Sequence, residues 1–238
     1  MQIRTVPTYQ EMSAIAAGLI AGILRANPAA VLGLATGSTP IGTYDELVRL
    51  HDEEGLDFSR ASSVNLDEYL GLDATHPQSY RYFMDKHLFD RVNIDKARTA
   101  VPSGVAADPA AECARYDALI KSLGGQDVQL LGIGPDGHIG FNEPCDEFVG
   151  PTHVVDLEAS TIEANARFFA SEAEVPRRAV TMGMDAIMGA KSIILIAAGA
   201  GKKAILEAAV YGPVTPRVPA SILQNHTNVT VLFAEQNG

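Results

Sequence analysis

The chain has no tryptophan, two cysteines and few aromatic residues, Phe, Trp and Tyr together making up 6% of 238 positions. Two cysteines, Cys113 and Cys145, cannot build a disulfide framework, which excludes a small stapled scaffold. Cys113 falls on an apolar helix face. Cys145 lies two residues past Glu143, but nothing in the sequence marks it as an activated nucleophile. Long hydrophobic runs are also lacking. The longest aliphatic stretch, Met12 to Leu24, is bounded by Glu11 and Arg25 and falls short of the ~20 residues a bilayer requires. The opening MQIRTVPTYQEM has no signal-peptide apolar region, so a cytoplasmic protein with no membrane partner is expected. Basic residues are scarce: 18 Lys and Arg face 29 Asp and Glu, for a formal charge of −11, with no local basic block. A nucleic-acid backbone needs a basic footprint, so no nucleic-acid partner is expected. An anionic ligand could bind only through a few placed cations and backbone N–H groups.

What is present is a core-forming composition, 47% hydrophobic, without repeats, linkers or low-complexity tracts. It predicts one α/β domain over residues 1–238. Thr8 and Glu11 make a capping box ahead of Met12, Ile15, Ala16, Leu19, Ile23 and Leu24 at helical spacing, so the chain is expected to begin with a helix laid on a sheet. Ala30 to Ala35 is a continuous apolar run, the pattern of a strand buried on both faces; the largely apolar Val128 to Ile133, Ser192 to Ala197 and Val229 to Phe233 are read as further strands. Ser62 to Leu66 and Thr152 to Val155 are weaker strand candidates. Helices are expected from Pro40, with Thr39 as cap and Ile41, Tyr44, Leu47 and Val48 facing inward. A further helix is read across His76 to Phe89, with Tyr80, Phe83, Leu88 and Phe89 packing. Asp108-Pro109 caps another, burying Cys113, Tyr116, Leu119, Ile120 and Leu123. A polar helical segment holds Arg167. This alternation predicts a mostly parallel sheet with helices on both faces.

Four stretches that follow strands carry the chemistry. Thr36-Gly37-Ser38-Thr39 offers N–H groups, hydroxyls and a helix N-terminus to an anion, but lacks the G-K-[ST] of a nucleotide-binding P-loop. A plain helix cap would use the same residues. Asp67 and Glu68 follow the Ser62 to Leu66 run, as a turn or as a site. The densest signal is Leu130 to Pro144, LLGIGPDGHIGFNEP, where Asp136, His138 and Glu143 lie among Gly132, Gly134, Gly137 and Gly140. A histidine flanked by carboxylates suits general acid/base catalysis. The same stretch spells G-x-G-x-x-G with Asp156 downstream, but Pro135 inside it, and Gly140, Asn142 and Pro144 after it, disfavour the helix a dinucleotide fingerprint must open. An ordinary polar loop shares its composition. Lastly, Gly199-Ala200-Gly201-Lys202-Lys203 again suits phosphate. In a parallel sheet these ends share one rim. An anion-binding turn, a lysine, two or three acids and a histidine together describe proton transfer on a phosphorylated small molecule.

The segments LGLATGSTP, VNLDEYLGL, LLGIGPDGHIGFNEP and the N-x-R-F-F of Asn165 to Phe169 closely resemble glucosamine-6-phosphate deaminases, in order and along nearly the whole chain. The resemblance implies a modified Rossmann-type domain that converts glucosamine 6-phosphate and water to fructose 6-phosphate and ammonia, with no metal and no organic cofactor. It implies Asp67 as the base moving a proton between C2 and C1, and His138 as the ring-opening group, oriented by Asp136 and Glu143. It implies phosphate held by Thr36, Gly37, Ser38, Thr39, Arg167 and Lys202, with Lys203 as a rival to Lys202, and sugar against the Gly132 and Gly134 backbone. A 6-phosphogluconolactonase would share the phosphate turn but lack DGHIGFNEP. A sugar-phosphate sensor would add a DNA-binding segment and often lose the base. Longer hexameric members of the family are activated by N-acetylglucosamine 6-phosphate through basic residues after N-E-P. Here His153 and Val155 stand at those positions, Asp146 and Glu147 replace small hydroxyl residues, and the chain stops soon after Phe233. A non-activated monomer or small homo-oligomer is therefore expected.

Overall fold

The computed structural model describes residues 1–158, 162, 163, 166, 169, 171 and 174–236. Its main sheet has seven strands: β1 (Gln2–Val6), β2 (Val31–Leu34), β3 (Ser62–Asn65), β5 (Thr99–Ala100), β6 (Val128–Leu131), β9 (Ile193–Ala198) and β10 (Val229–Ala234). They lie in the order β1-β10-β9-β6-β2-β3-β5, and every pairing is parallel. A second, antiparallel sheet runs β4 (Asp67–Tyr69), β8 (Arg178–Thr181), β7 (His153–Asp156).

The continuous apolar runs are explained by what covers each face. In β9, Ile194 and Ile196 face the core made by α1 (Tyr9–Ala26) and α2 (Ile41–Glu54), with Met12, Ile20, Leu24, Tyr44 and Leu47. Ile193, Leu195 and Ala197 face the opposite core, built from Tyr116 and Ile120 of α4 (Pro109–Ser122) and Leu206 and Ala209 of the helix Lys203–Tyr211. Burying each large aliphatic side chain contributes about 1.5–3 kcal/mol, so neither face can be polar. Local signals set the helix starts: Thr8 Oγ1 accepts from Glu11 N (3.2 Å), and Asp108 accepts from Ala110 N and Ala111 N. No helix among the described residues is long and apolar enough to cross a membrane.

Several expectations need correction. The chain opens with strand β1 and not with a helix; its first four residues are exposed, so no apolar pattern announces it. The short β5 and strands β4 and β8 were equally silent, whereas the expected strand Thr152 to Val155 is present as β7 (His153–Asp156), in the small sheet and not the main one. The helix expected across His76 to Phe89 is α3 (Tyr80–His87), capped by Ser79, with a 3-10 turn at Phe89–Arg91. Thr39 does not cap α2. Pro40 occupies that position, no side chain caps the helix, and Ile41 N donates to Ser38 O instead. The segment read as a polar helix around Arg167 lies outside the described residues, Arg167 included.

The strand order changes direction between β2 and β6. From β2 the chain moves outward to β3 and β5; from β6 it moves the other way to β9 and β10. Loops leaving the carboxyl ends of such neighbours part from one another and leave a crevice. Tyr44 fixes one lip. Its buried hydroxyl donates to Ala35 O (2.5 Å) and accepts from Ala35 N (3.2 Å), at the residue where β2 gives way to the Thr36–Thr39 turn. Tyr44→Phe should leave both backbone groups unpaired in the core and destabilise the fold by about 1–3 kcal/mol. The measurement is a lower urea midpoint at unchanged slope; an unmoved midpoint would show that Ala35 has other partners.

Candidate active site

A cavity of about 260 Å³ occupies this crevice, lined by loops that follow β2, β3, β6 and β9. From β2 come Thr36, Gly37, Ser38 and Thr39. Gly37 has φ 101°, a left-handed conformation that glycine adopts without strain. Tyr9 of α1 ties this turn down, its hydroxyl donating to Thr39 O (2.9 Å) and accepting from Gly42 N (2.7 Å). From β9 comes Lys202, whose Nζ donates to Ile133 O at 2.7 Å and so bridges to the loop after β6. Lys203 instead lines a separate cavity beside Ile3 and Thr5.

The loop after β6 supplies Gly132, Gly134 and His138. No helix opens here, as Pro135 foretold. Gly134 N donates to His138 O (2.9 Å), and the imidazole lies over Gly134, where a Cβ would fall 2.3 Å from its Cε1. That close approach is what this glycine permits. Asp136 accepts from His138 N (3.1 Å), and its Oδ1 lies 2.8 Å from His138 Nδ1; Glu143 Oε2 lies 3.1 Å from the same nitrogen. Burial opposes charge on His138, but hydrogen bonds and charge from the two acids outweigh it and lift the imidazole to about 9. Burial would raise Asp136 in turn, yet the His138 hydrogen bonds and charge hold it well below the usual carboxylate range. With Nδ1 between two carboxylates, Nε2 is the nitrogen left for chemistry. The ligating atoms of Asp136, His138 and Glu143 lie within 4.8 Å of one another, a spacing that could hold a metal ion.

Asp67 enters from the other side, as the first residue of β4 opposite Thr181. Thr181 Oγ1 accepts from Phe141 N (3.0 Å), drawing the β6 loop onto this strand. Gly140, at φ 60°, makes the contact possible: a Cβ there would sit 3.0 Å from Thr181 Oγ1 and 3.4 Å from Asp67 Oδ2. Asp67 is 5% exposed. Burial first and the neighbouring Glu68 charge second push its carboxyl up to about 8, with His138 pulling the other way. Tyr80 and Phe141 line the same cavity and belong to a cluster of four rings: Tyr69 and Tyr80 (centroids 4.8 Å apart), Phe141 stacked on Tyr80 (5.9 Å), and Phe169 edge-on to Tyr69 (6.0 Å).

Thus the eleven expected site residues that lie among the described ones are gathered here, lining the cavity or pairing with His138. Sequence reasoning missed Tyr80 and Phe141 as cavity walls, since aromatic residues beside apolar runs read as core packing. An adjoining cavity shares Gly37, Ser38 and Tyr80, and no carboxylate lines it among the described residues. Cys145 takes no part: its Sγ donates to Glu147 O (2.8 Å).

The raised value of Asp67 has a consequence for stability. Between its ordinary value of 3.8 and about 8, the folded state holds a proton that the unfolded chain has lost. Its contribution is therefore fully present below the unfolded value and is lost as pH rises through about 8. Asp67→Asn should remove that dependence, so the variant gains on the wild type in urea midpoint as pH rises over this interval. A constant difference throughout would identify Asp67 as an ordinary ionised carboxylate.

Residues 8–232 match the protein family described as glucosamine-6-phosphate isomerases/6-phosphogluconolactonase. Glucosamine-6-phosphate deaminases of Lachnoclostridium phytofermentans and Clostridium perfringens are 56% and 51% identical to the chain, over 98% and 99% of it and 98% and 97% of their own lengths. The solved structure of a monomeric glucosamine-6-phosphate deaminase superposes with a TM-score of 0.96 at 46% identity, covering 98% of this chain and 97% of that one. A 6-phosphogluconolactonase from Thermotoga maritima, 18% identical with a TM-score of 0.76 over 99% of each chain, shares the fold. Site geometry, sequence and fold agree, and the chain belongs to the glucosamine-6-phosphate isomerase/6-phosphogluconolactonase family.

Proposed function

We propose that this protein is a cytoplasmic enzyme, with residues 1–238 acting as one catalytic domain, that converts glucosamine 6-phosphate and water to fructose 6-phosphate and ammonia. The observation that carries the reading is the placement of Asp67 and His138 on one cavity with the Thr36–Thr39 turn and Lys202. The turn and Lys202 take the phosphate, together with Arg167, and the Gly132–Gly134 backbone lies along the sugar. His138, held charged by Asp136 and Glu143, gives a proton from Nε2 to the ring oxygen and receives one from O1, opening the pyranose. Asp67 then removes the C2 proton to form an enolamine and returns it at C1, leaving an imine at C2. Water adds to that imine and ammonia departs, giving the ketone. An aspartate raised to about 8 is a far stronger proton acceptor than an ordinary carboxylate, which abstraction from carbon requires.

A coupled assay of ammonia and fructose 6-phosphate from glucosamine 6-phosphate tests the reaction. In it, Asp67→Asn should lower kcat by about 10²–10⁴-fold with KM little changed, along with solvent deuterium incorporation at the migrating carbon. Lys202→Ala should do the opposite, weakening substrate affinity by about one to two decades through loss of a charge-assisted contact worth ~1.5–3 kcal/mol. Near-normal turnover by the first variant removes Asp67 from the mechanism. An intact KM in the second places the phosphate elsewhere.

We further infer that no phosphosugar activates the enzyme and that it is a monomer or small homo-oligomer. The cavity behind Glu143 is walled by Glu147, His153, Val155, Asp156 and Glu158, and Asp146 pairs with Arg217. Acids at this density repel a phosphate dianion. The solved relative described as monomeric supports the same reading. Rate curves should be hyperbolic with or without N-acetylglucosamine 6-phosphate; a sigmoidal curve that this compound makes hyperbolic would overturn it.

A further inference from the structure

Glu68 follows Asp67 directly, lines no part of the catalytic cavity and is 2% exposed. Its carboxylate accepts three backbone N–H groups: Oε1 from Tyr69 (2.9 Å) and Tyr80 (2.9 Å), and Oε2 from Arg81 (3.1 Å). The last two are the first N–H groups of α3, donors that the helix itself cannot satisfy. No cation pairs with Glu68 among the described residues. The Arg81 guanidinium turns away to Asp85 (3.1 Å) and Thr99 Oγ1 (2.9 Å). Gly104 closes over the side chain, since a Cβ there would lie 2.2 Å from Tyr69 O and 3.3 Å from Glu68 Cγ. A carboxylate shielded from water and held only by dipoles keeps its full repulsion for an acid one residue away.

We infer that Glu68 is a positioning residue for the reaction proposed above: it pins Tyr80 against the cavity through the start of α3, and its charge beside Asp67 makes that base a stronger proton acceptor. The inference rests on Asp67 being the base. Asp67 is faced by Glu68 and Tyr69 on its own strand, His138 from the β6 loop, Tyr80 from α3 and Tyr116 from α4. Burial keeps the three tyrosines neutral, and His138 weakens Asp67 as an acceptor, so beyond burial it is Glu68 that strengthens it. Burial also lifts Glu68, to about 7, against the pull of its three N–H donors. Two adjacent buried acids give up their second proton reluctantly and titrate as a pair.

The test uses Glu68→Gln, which keeps the shape and the Oε1 acceptor for Tyr69 and Tyr80 while removing the charge. The Asp67 carboxyl carbon is followed by carbon-13 NMR in the full chain and assigned by its absence in Asp67→Asn. It should titrate about 1–3 pH units lower in Glu68→Gln than in the wild type. The acid limb of kcat should move down with it, because the base is then ionised at lower pH, and the plateau should fall by about tenfold for a weaker base. Glu68→Ala, which also frees the start of α3, should add a rise in KM. A Glu68→Gln variant that loses stability or affinity while the Asp67 titration and acid limb stay put would reduce Glu68 to a structural cap and overturn the inference. Should the variant not fold, the wild-type titration decides, and an Asp67 at its ordinary value overturns the inference there too. Failure of the wild type to consume glucosamine 6-phosphate would count against the proposed reaction alone, since the NMR titration reads Asp67 without turnover.

Discussion

A parallel sheet wound outward in both directions from its middle leaves two neighbouring strands whose following loops must part, and the rest of this molecule depends on that gap. It falls between β2 and β6, so the Thr36–Thr39 turn and the Gly132–Glu143 loop become its two lips. Each lip is tied from behind, the first by Tyr9 and Tyr44, the second by Thr181 and by the Lys202 bridge to Ile133. These bonds satisfy backbone groups that a loop at a sheet edge would otherwise expose. The same bonds hold a concave surface open with its donors pointing inward.

The electrostatics follow from how few cations the chain has to spend. With a formal charge of −11, the chain offers an anion in this cavity backbone N–H groups and, among the described residues, a single lysine, Lys202. The carboxylates beside the cavity would repel such a ligand if all were ionised in the open. They are arranged so that this does not arise. Asp136 and Glu143 are turned onto His138 and share its positive charge, while Asp67 is buried and raised to about 8. Burying an acid this way lowers stability above its ordinary pKa, a local loss that the two large apolar cores absorb.

The small antiparallel sheet gives the buried acid its setting. Strand β4 takes the chain straight from the main sheet, with Leu66 between β3 and Asp67, and its pairing with β8 fixes both Asp67 and Glu68 in direction. The ring cluster of Tyr69, Tyr80, Phe141 and Phe169 joins this sheet to α3 and to the β6 loop. An apolar wall is thereby built from four separate stretches of the chain, and Tyr80 and Phe141 carry it to the cavity that Asp67 and His138 line.

The sequence by itself determined the parallel sheet and most of the candidate site. Two-faced burial writes itself as largely apolar runs in β2, β6, β9 and β10, and caps at Thr8 and Asp108 mark helix starts with their own side chains. Asp136, His138 and Glu143 were legible because a tight glycine-rich loop packs its polar groups into a few adjacent positions. Tertiary structure decided the rest wherever the signal is shared between distant segments. Strand β1 is an exposed edge with no apolar alternation, and β4, β7 and β8 draw their pairing from one another. Thr39 gave up its expected capping role because Pro40 took that position. The sequence leaves Lys203 as a close rival to Lys202, and the 3-10 turn Ala200–Lys202 sends Lys202 to the cavity that Asp67 and His138 line and Lys203 to the β1 side. The basicity of Asp67 is likewise unreadable from its neighbours in sequence, because it comes from the water that folding removes and from charges that folding brings close.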